Sequence, residues 1–388
     1  MESDLRRTWA EVNLDAIAYN YKKIREKIGE KVKFLGVVKA DAYGHGSVQV
    51  GKLLEEVGAD YLAVSSADEA LELRVNGIKM PILILGHTPK EQVEELISYN
   101  ITQAITCKAK ADEYSAEAVK CGGTLKVHIK VDTGMSRLGY LCDNGLFDTG
   151  VEGIVEACNL PGLSVEGIFT HFAEADEFGE ERDNYTKHQF ELFTNVIKAV
   201  EEKGVHFKIR HCANTGAVAR FPETYLDMVR PGLLLYGYGE FAHQLGLKPA
   251  MTLKTTVSTI KIYPEGTAIS YGGIYVTDKM TRIGVLPYGY ADGFLRSLSN
   301  KCSLYTKEGP AKLRGKICMD MCMIDITDMM TVDVGSEVEV FGEKNSIDEL
   351  AGIAGTIPYE LTCAVSKRVP RVYYRNGEVI ERELMLRL

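Results

Sequence analysis

No run of apolar residues in this 388-residue chain approaches the roughly 18 needed for a membrane-spanning helix. The first twenty residues, MESDLRRTWAEVNLDAIAYN, are charged and amphipathic and lack the apolar core of a secretion signal. The expected location is therefore cytoplasmic, with no membrane partner. Basic clusters are also missing: no group of Lys and Arg exceeds two or three residues, and the net charge is −9. That balance argues against a nucleic-acid partner, which calls for a basic face. The nine cysteines are odd in number and scattered. They form no CxxC and no disulfide framework, as befits a reducing compartment. Cys318 and Cys322 stand four apart, but no HxxxH accompanies them and no metal site is expected. No GxGxxG opens a helix, so a dinucleotide fold lacks its fingerprint. Low-complexity segments are absent as well.

What is there, between residues 30 and 240, is one alternating pattern. Eight short apolar runs rich in β-branched residues recur: KFLGVVK (33–39), YLAVSS (61–66), PILILG (81–86), ITQAIT (101–106), LKVHIKVD (125–132), VEGIFTHF (165–172), FKIRHC (207–212) and MVRPGLLLYG (228–237). Helical stretches separate them. Val50, Leu53, Leu54 and Val57 fall on one helix face, as do Phe190, Phe193, Ile197 and Val200. Strands alternating with helices imply a parallel sheet. Eight such units in this length match a (β/α)8 barrel. Periodicity does not show closure, so a doubly wound open sheet stays open at this point. The segment EVNLDAIAYNYKKIREKI is expected to be a helix preceding the first strand.

After about residue 240 the texture changes to alternating strands broken by PEG, KEG and RNG turns. One helix is expected there, SIDELAGIAG (346–355), with Ser346 as N-cap and Glu349 three residues on. The expectation is an α/β protein: a (β/α)8 barrel over residues 10–240 and a mainly β C-terminal domain over 241–388. Residues 1–9 are a candidate addition to the second domain.

Active sites of such barrels lie at the C-terminal ends of the strands. Those ends carry Lys39 and Tyr43, Ser65, His87, Thr106, Lys130 with Asp132 and Arg137, His171, Asn214 with Thr215, and Arg230 with Gly232. A single polar strand end means little, but two lysines, two arginines and two histidines at eight ends point to function. Lys39 ends VVKADAYGHG, where it is either a solvated strand terminus or a reactive amine. Partial burial disfavours the charged form, and a neutral amine attacks aldehydes to form Schiff bases. Other signals are bland. The DTG at 132–134 lacks the second such loop that aspartic proteases need. His128 sits within a strand as a core histidine, and Glu55-Glu56, Glu94-Glu95 and Glu201-Glu202 read as solvated helix faces.

VVKADAYGHG resembles the pyridoxal-phosphate lysine motif of the alanine racemases. HIKVDTGMSRLG, GIFTHFAEAD, RHCANTGA, MVRPGLLLYG, SYGGIY, LPYGYADG, GKICMDMCMIDI and IPYEL resemble further segments of that family, in the same order along the chain. The resemblance implies pyridoxal 5'-phosphate as cofactor, Schiff-base attachment at Lys39, and a two-base interconversion of L- and D-alanine. Lys39 would serve one face of the substrate and Tyr271 the other, since a single base tends to return the same enantiomer. His171 and Arg230 would lend positive potential and hydrogen bonds to the Tyr271 phenolate, and Arg230 would contact the pyridine nitrogen. Tyr43, Asn214, Thr215, Gly232, Leu233 and Tyr359 match the cofactor and phosphate contacts; family members often carry serine where Thr215 stands. Arg137, Met319 and Asp320 match substrate-site positions, and Lys130 matches a lysine that is carbamylated in many members.

The family also implies a homodimer sharing its active sites between subunits, a small amino-acid substrate, and D-alanine supply for peptidoglycan. A broad-spectrum or serine racemase and a barrel-type decarboxylase are the alternatives within this chemistry; a decarboxylase should lack the SYGGIY tyrosine as a base. A carrier protein would need only the barrel, and a cofactor-free aldolase would show no visible absorbance.

Overall fold

The eight apolar runs form eight parallel strands in a computed structural model that describes residues 7–384. They are β1 (Lys33–Val37), β2 (Tyr61–Val64), β3 (Ile82–Ile84), β4 (Thr102–Ile105), β5 (Leu125–Asp132), β6 (Leu163–Phe169), β7 (Ile209–His211) and β8 (Met228–Val229). Their order is β8-β1-β2-β3-β4-β5-β6-β7. The ring closes through backbone bonds from Asp227 N to Arg210 O, 3.1 Å, and from Arg230 N to Ala213 O, 2.9 Å. An open doubly wound sheet is thereby excluded. β2, β3 and β4 are buried throughout, which explains runs with no polar alternation: helices cover the outer face and side chains fill the inner one. The helix Ser47–Val57 buries Val50, Leu53 and Leu54, and Glu180–Glu202 buries Phe193, Ile197 and Val200.

One run departs from expectation. MVRPGLLLYG is extended only over Met228–Val229, and Leu233–Tyr236 turns helical. Pro231 has no N–H for a ladder and biases the residue before it toward extended backbone. Its carbonyl instead accepts from Val37 N at 3.3 Å.

The chain divides into two compact units, one comprising residues 21–42 and 47–235, the other residues 1–20, 43–46 and 236–388. The second is built on a seven-stranded sheet in the order 309–312, 303–306, 337–341, 251–256, 8–13, 371–375, 378–383. Here the sequence expectation is corrected. Residues 11–13 are not the start of a helix. Thr8–Asn13 is a strand, antiparallel to Met251–Thr256 and parallel to Arg371–Arg375. Its TWAEVN pattern can alternate, and partners on both sides satisfy its backbone. The helix begins at Leu14, where Asn13 Oδ1 accepts from Ala16 N at 3.0 Å. Of residues 1–9, Thr8 and Trp9 join this sheet, and residues 1–6 lie outside the described residues. The expected late helix spans Ile347–Ala354 after Ser346 and stops at Gly355, in left-handed conformation.

Candidate active site

Lys39 lies two residues beyond the end of β1 and is half-buried. The next four residues, Ala40, Asp41, Ala42 and Tyr43, have φ between 51° and 55°, a left-handed turn made without glycine. Each such residue costs roughly 1–2 kcal/mol, so the surroundings must hold the turn. Val38 O accepts from Ala42 N at 2.9 Å, Asp41 Oδ1 accepts from Ser47 N at 2.8 Å, and Glu69 Oε1 accepts from Ala40 N at 2.7 Å. Sequence reasoning passed over Glu69; its signal was the Ser66-to-Glu69 spacing of a capping box at a helix start.

Arg230 stands beyond β8, which pairs with β1. It is 4 % exposed. Its guanidinium donates to Thr170 O at 2.8 Å, Cys212 O at 3.1 Å, His211 Nδ1 at 3.0 Å and His171 Nδ1 at 3.3 Å. Burial lowers even this group, to about 10. Arginine has no acceptor, so both imidazole nitrogens facing it are unprotonated. A neutral His211 then carries its proton on Nε2 and donates it to His128 Nδ1, 2.9 Å away. His128 is a core histidine, as its strand position implied, but it also ends this chain, with buried Nε2 lacking a hydrogen-bond partner. Burial, then the Arg230 charge, depresses His128 to about 3. His171 is likewise held well below its ordinary range, by burial first, then by Arg230, Lys130, Arg137 and Lys39. Its proton therefore sits on Nε2, facing away from Arg230.

Lys130, on β5, is 6 % exposed and donates to Val131 O at 2.5 Å. Its Nζ and the Arg230 guanidinium lie 5.6 and 5.5 Å from the Phe169 ring. Burial pulls the amine down to about 7; Asp132 opposes this, while Arg230 and Arg137 add to it. Asp132 is no protease residue. Its Oδ1 accepts from Gly134 N and Ser136 N and its Oδ2 from Arg137 N, at 3.0, 3.0 and 3.1 Å. It thus shapes the loop that presents Arg137, which is exposed. Asn214 caps the helix Thr215–Arg220, accepting from Ala217 N at 3.1 Å. Thr215 Oγ1 accepts from Gly232 N at 3.0 Å, joining the loops after β7 and β8. Gly232 and Leu233 are buried there. Ser65 belongs to the Glu69 bridge, through Ser65 N to Glu69 Oε2 at 2.6 Å, and His87 is exposed.

The other candidates lie in the second unit. The rings of Tyr43 and Tyr359 are 5.5 Å apart. Burial, reinforced by Tyr359 and Cys363, raises Tyr43 above the ordinary phenol range, leaving a neutral hydroxyl. Gly44, at φ +80°, packs so closely that a Cβ would sit 2.2 Å from Thr362 O. Tyr271 opens the turn Tyr271–Gly273, between the short paired strands Ala268–Ile269 and Tyr275–Val276. It is 69 % exposed. The preceding Ser270 has φ 64° and donates from Oγ to Lys316 O at 2.7 Å, tying the Tyr271 turn to the segment leading to Met319. Met319 is 53 % exposed, and Asp320 accepts from Arg368 at 2.8 Å. Among the described residues, no group of three or more His, Cys, Asp or Glu is arranged to hold a metal ion, and no helix is long and apolar enough to cross a membrane.

A (β/α)8 barrel with a lysine, arginines and neutral imidazoles at the C-terminal ends of its strands, followed by a mainly β unit, defines a class of two-unit barrel enzymes. Comparison with known proteins narrows the class. Residues 12–240 match the family model described as alanine racemase, N-terminal domain, and residues 250–373 match alanine racemase, C-terminal domain. The alanine racemase of Clostridium perfringens strain SM101 is 44% identical, over 98% of this chain and 99% of its own. Among solved structures, alanine racemase of Clostridium difficile 630 superposes with a TM-score of 0.93 at 39% identity, covering 99% of this chain and 100% of that one. The Bacillus anthracis alanine racemase with bound L-Ala-P gives 0.89 at 36% identity, covering 97% of each chain. The chain belongs to the alanine racemase family, a family of pyridoxal-phosphate-dependent isomerases.

Proposed function

We propose that this protein interconverts L- and D-alanine, with Lys39 and Tyr271 carrying the proton on opposite faces of the substrate. The observation that carries the assignment is that Lys39 and Arg230 follow the paired neighbouring strands β1 and β8, in a chain matched by both family models over residues 12–240 and 250–373. The barrel unit's donors suit pyridoxal 5'-phosphate: an amine at Lys39, a fixed guanidinium at Arg230, and hydroxyl and backbone N–H donors at Thr215, Gly232 and Leu233, with Asn214 bracing the Thr215 loop; the family resemblance adds the Tyr43 and Tyr359 hydroxyls of the second unit. When bound, this cofactor supplies the electron sink that makes the substrate Cα–H acidic.

The chain's own residues then divide the work. Arg230 stays protonated and so offers a hydrogen bond, not a proton, to an acceptor at the barrel mouth. Its partners Thr170, Cys212, His211 and His171 fix its plane. His171, as the Nε2–H tautomer, can donate to a phenolate oxygen and so favour ionised Tyr271. Arg137 is positioned by Asp132 to receive a carboxylate. Lys130, depressed to about 7 by burial, has a substantial neutral fraction near neutrality. A neutral amine can add to carbon dioxide, forming a C–N bond and releasing one proton to solvent, to give an anionic carbamate that Arg137 and Arg230 would favour, and we assign it that modification.

The exposed Tyr271, Ile274, Val276, Met319 and Met321 support a homodimer in which the second unit of one copy covers the barrel mouth of the other, bringing Met319 and Asp320 to the substrate. Provision of D-alanine for peptidoglycan in the cytoplasm is the corresponding role. The test is reduction of purified protein with borohydride, followed by peptide mapping, and circular dichroism of L-alanine incubated with enzyme. The expected results are a visible chromophore, a label on Lys39, and decay of the alanine signal to zero. Tyr271→Phe should slow α-proton exchange strongly from one enantiomer. A label on another lysine, or equal small effects from both enantiomers, would overturn the assignment.

A further inference from the structure

The left-handed turn after Lys39 begins with an N–H that the turn cannot satisfy itself. Ala42 N donates to Val38 O, and the initial donors of any helical turn need outside acceptors. Ala40 N, in the peptide that immediately follows Lys39, finds Glu69 Oε1 at 2.7 Å. The other oxygen of the same carboxylate, Oε2, accepts from Ser65 N at 2.6 Å. Ala40 lies beyond β1 and Ser65 beyond β2, and those strands are paired neighbours. One carboxylate therefore bridges two adjacent strand ends, one N–H to each oxygen.

The bridge stands on a firm base. Glu69 belongs to the helix Ala67–Val75, whose N-cap Ser66 accepts from Glu69 N at 3.3 Å. One turn along the same face, Glu72 Oε2 accepts from Ser47 Oγ at 3.0 Å, while Ser47 N donates to Asp41 at 2.8 Å. The helix thus holds the Lys39–Ser47 segment at both ends. Fixing the plane of the Lys39–Ala40 peptide fixes the direction in which the Lys39 side chain leaves the backbone.

We propose that Glu69 is a positioning residue for Lys39, acting by clamping the peptide after it; this rests on the assignment of Lys39 as the reactive amine. Both acceptor oxygens are required. Glutamine keeps the shape but offers one acceptor, and its NH2 would face an N–H donor. Aspartate is one methylene too short to span both strand ends.

The test compares wild-type holoenzyme with Glu69→Gln, Glu69→Ala and Ser66→Ala. Glu69→Gln should lower kcat by about 10- to 100-fold, the scale for a displaced reacting group, with KM within about threefold. Amide hydrogen exchange in the peptide containing Ala40 should accelerate, and borohydride trapping at Lys39 should slow. Ser66→Ala weakens the cap of the same helix but leaves the bridge; it should lower Tm without the kcat loss, which separates positioning from stability. If Glu69→Ala does not fold, the isosteric glutamine carries the test. A folded Glu69→Gln enzyme with kcat within about twofold of wild type would overturn the proposal, as would a kcat loss without faster exchange at Ala40. A borohydride label off Lys39 in the wild type would instead show that the underlying assignment is wrong.

Discussion

Replacing Ala40 by glycine should stabilise the protein, although alanine-to-glycine changes ordinarily do the reverse. Ala40 is exposed and has φ 52°, so its methyl group packs against little while straining the backbone. Relief of that strain is worth about 1–2 kcal/mol. Glycine gives back about 0.4–1 kcal/mol through the greater freedom of the unfolded chain, leaving a net gain of up to about 1.6 kcal/mol. Ala116 supplies the control: it is exposed in the right-handed helix Lys108–Lys120, and Ala116→Gly should cost about 1 kcal/mol. Ala42→Gly should fall between. Its φ of 51° is equally strained, but its methyl is fully buried and burial of one such group is worth about 0.8 kcal/mol. Urea titrations of the three variants measure the differences. Thermal midpoints should move by about 2–4 °C per kcal/mol for a unit of this size. If Ala40→Gly destabilises as much as Ala116→Gly, the turn is not left-handed in solution and the strain argument fails.

Two further outcomes are expected. In carbon-dioxide-free buffer, stability should rise with pH from about 7 upward, because Lys130 is depressed to about 7 against an ordinary value of about 10.4. Across that window the unfolded chain binds more protons than the folded one, so raising pH favours folding; Lys130→Met should flatten this part of the profile of urea midpoint against pH, and an unchanged slope would contradict it. Arg371→Met should be strongly destabilising. This 2 % exposed arginine donates to Gly44 O, Val365 O, Ser366 O and Val369 O at 3.2, 2.6, 2.7 and 2.7 Å. Leaving those carbonyls unserved should cost at least about 3 kcal/mol, read as a fall in the urea midpoint; a loss under about 1 kcal/mol would refute the accounting.

The chain's own pattern determined a good deal of this molecule. Eight buried strands need eight continuous apolar runs, and residues that face helices on one side and a packed interior on the other have no room for polar alternation. The same logic picked out Lys39, Lys130, His171 and Arg230, because charge at the end of an apolar run is conspicuous in one dimension. The change to alternating strands after residue 240 likewise announced the second unit.

Only the tertiary structure decided the rest. Residues 11–13 of the strand Thr8–Asn13 look like the start of a helix until Met251–Thr256 and Arg371–Arg375 supply the strand's ladder partners from more than 200 residues away. The turn in VVKADAYGHG is left-handed, with Ala40 N held by Glu69 from elsewhere in the chain, and no local preference of Ala-Asp-Ala-Tyr would choose that hand. His128 and His211 are 83 residues apart, and their joint dependence on Arg230 exists only because the barrel closes. Local sequence carries periodicity, burial and turn chemistry, since these depend on neighbours a few residues away. Strain, tautomer and shared hydrogen bonds depend on which distant groups the closed fold brings within 3 Å, and only the folded chain settles them.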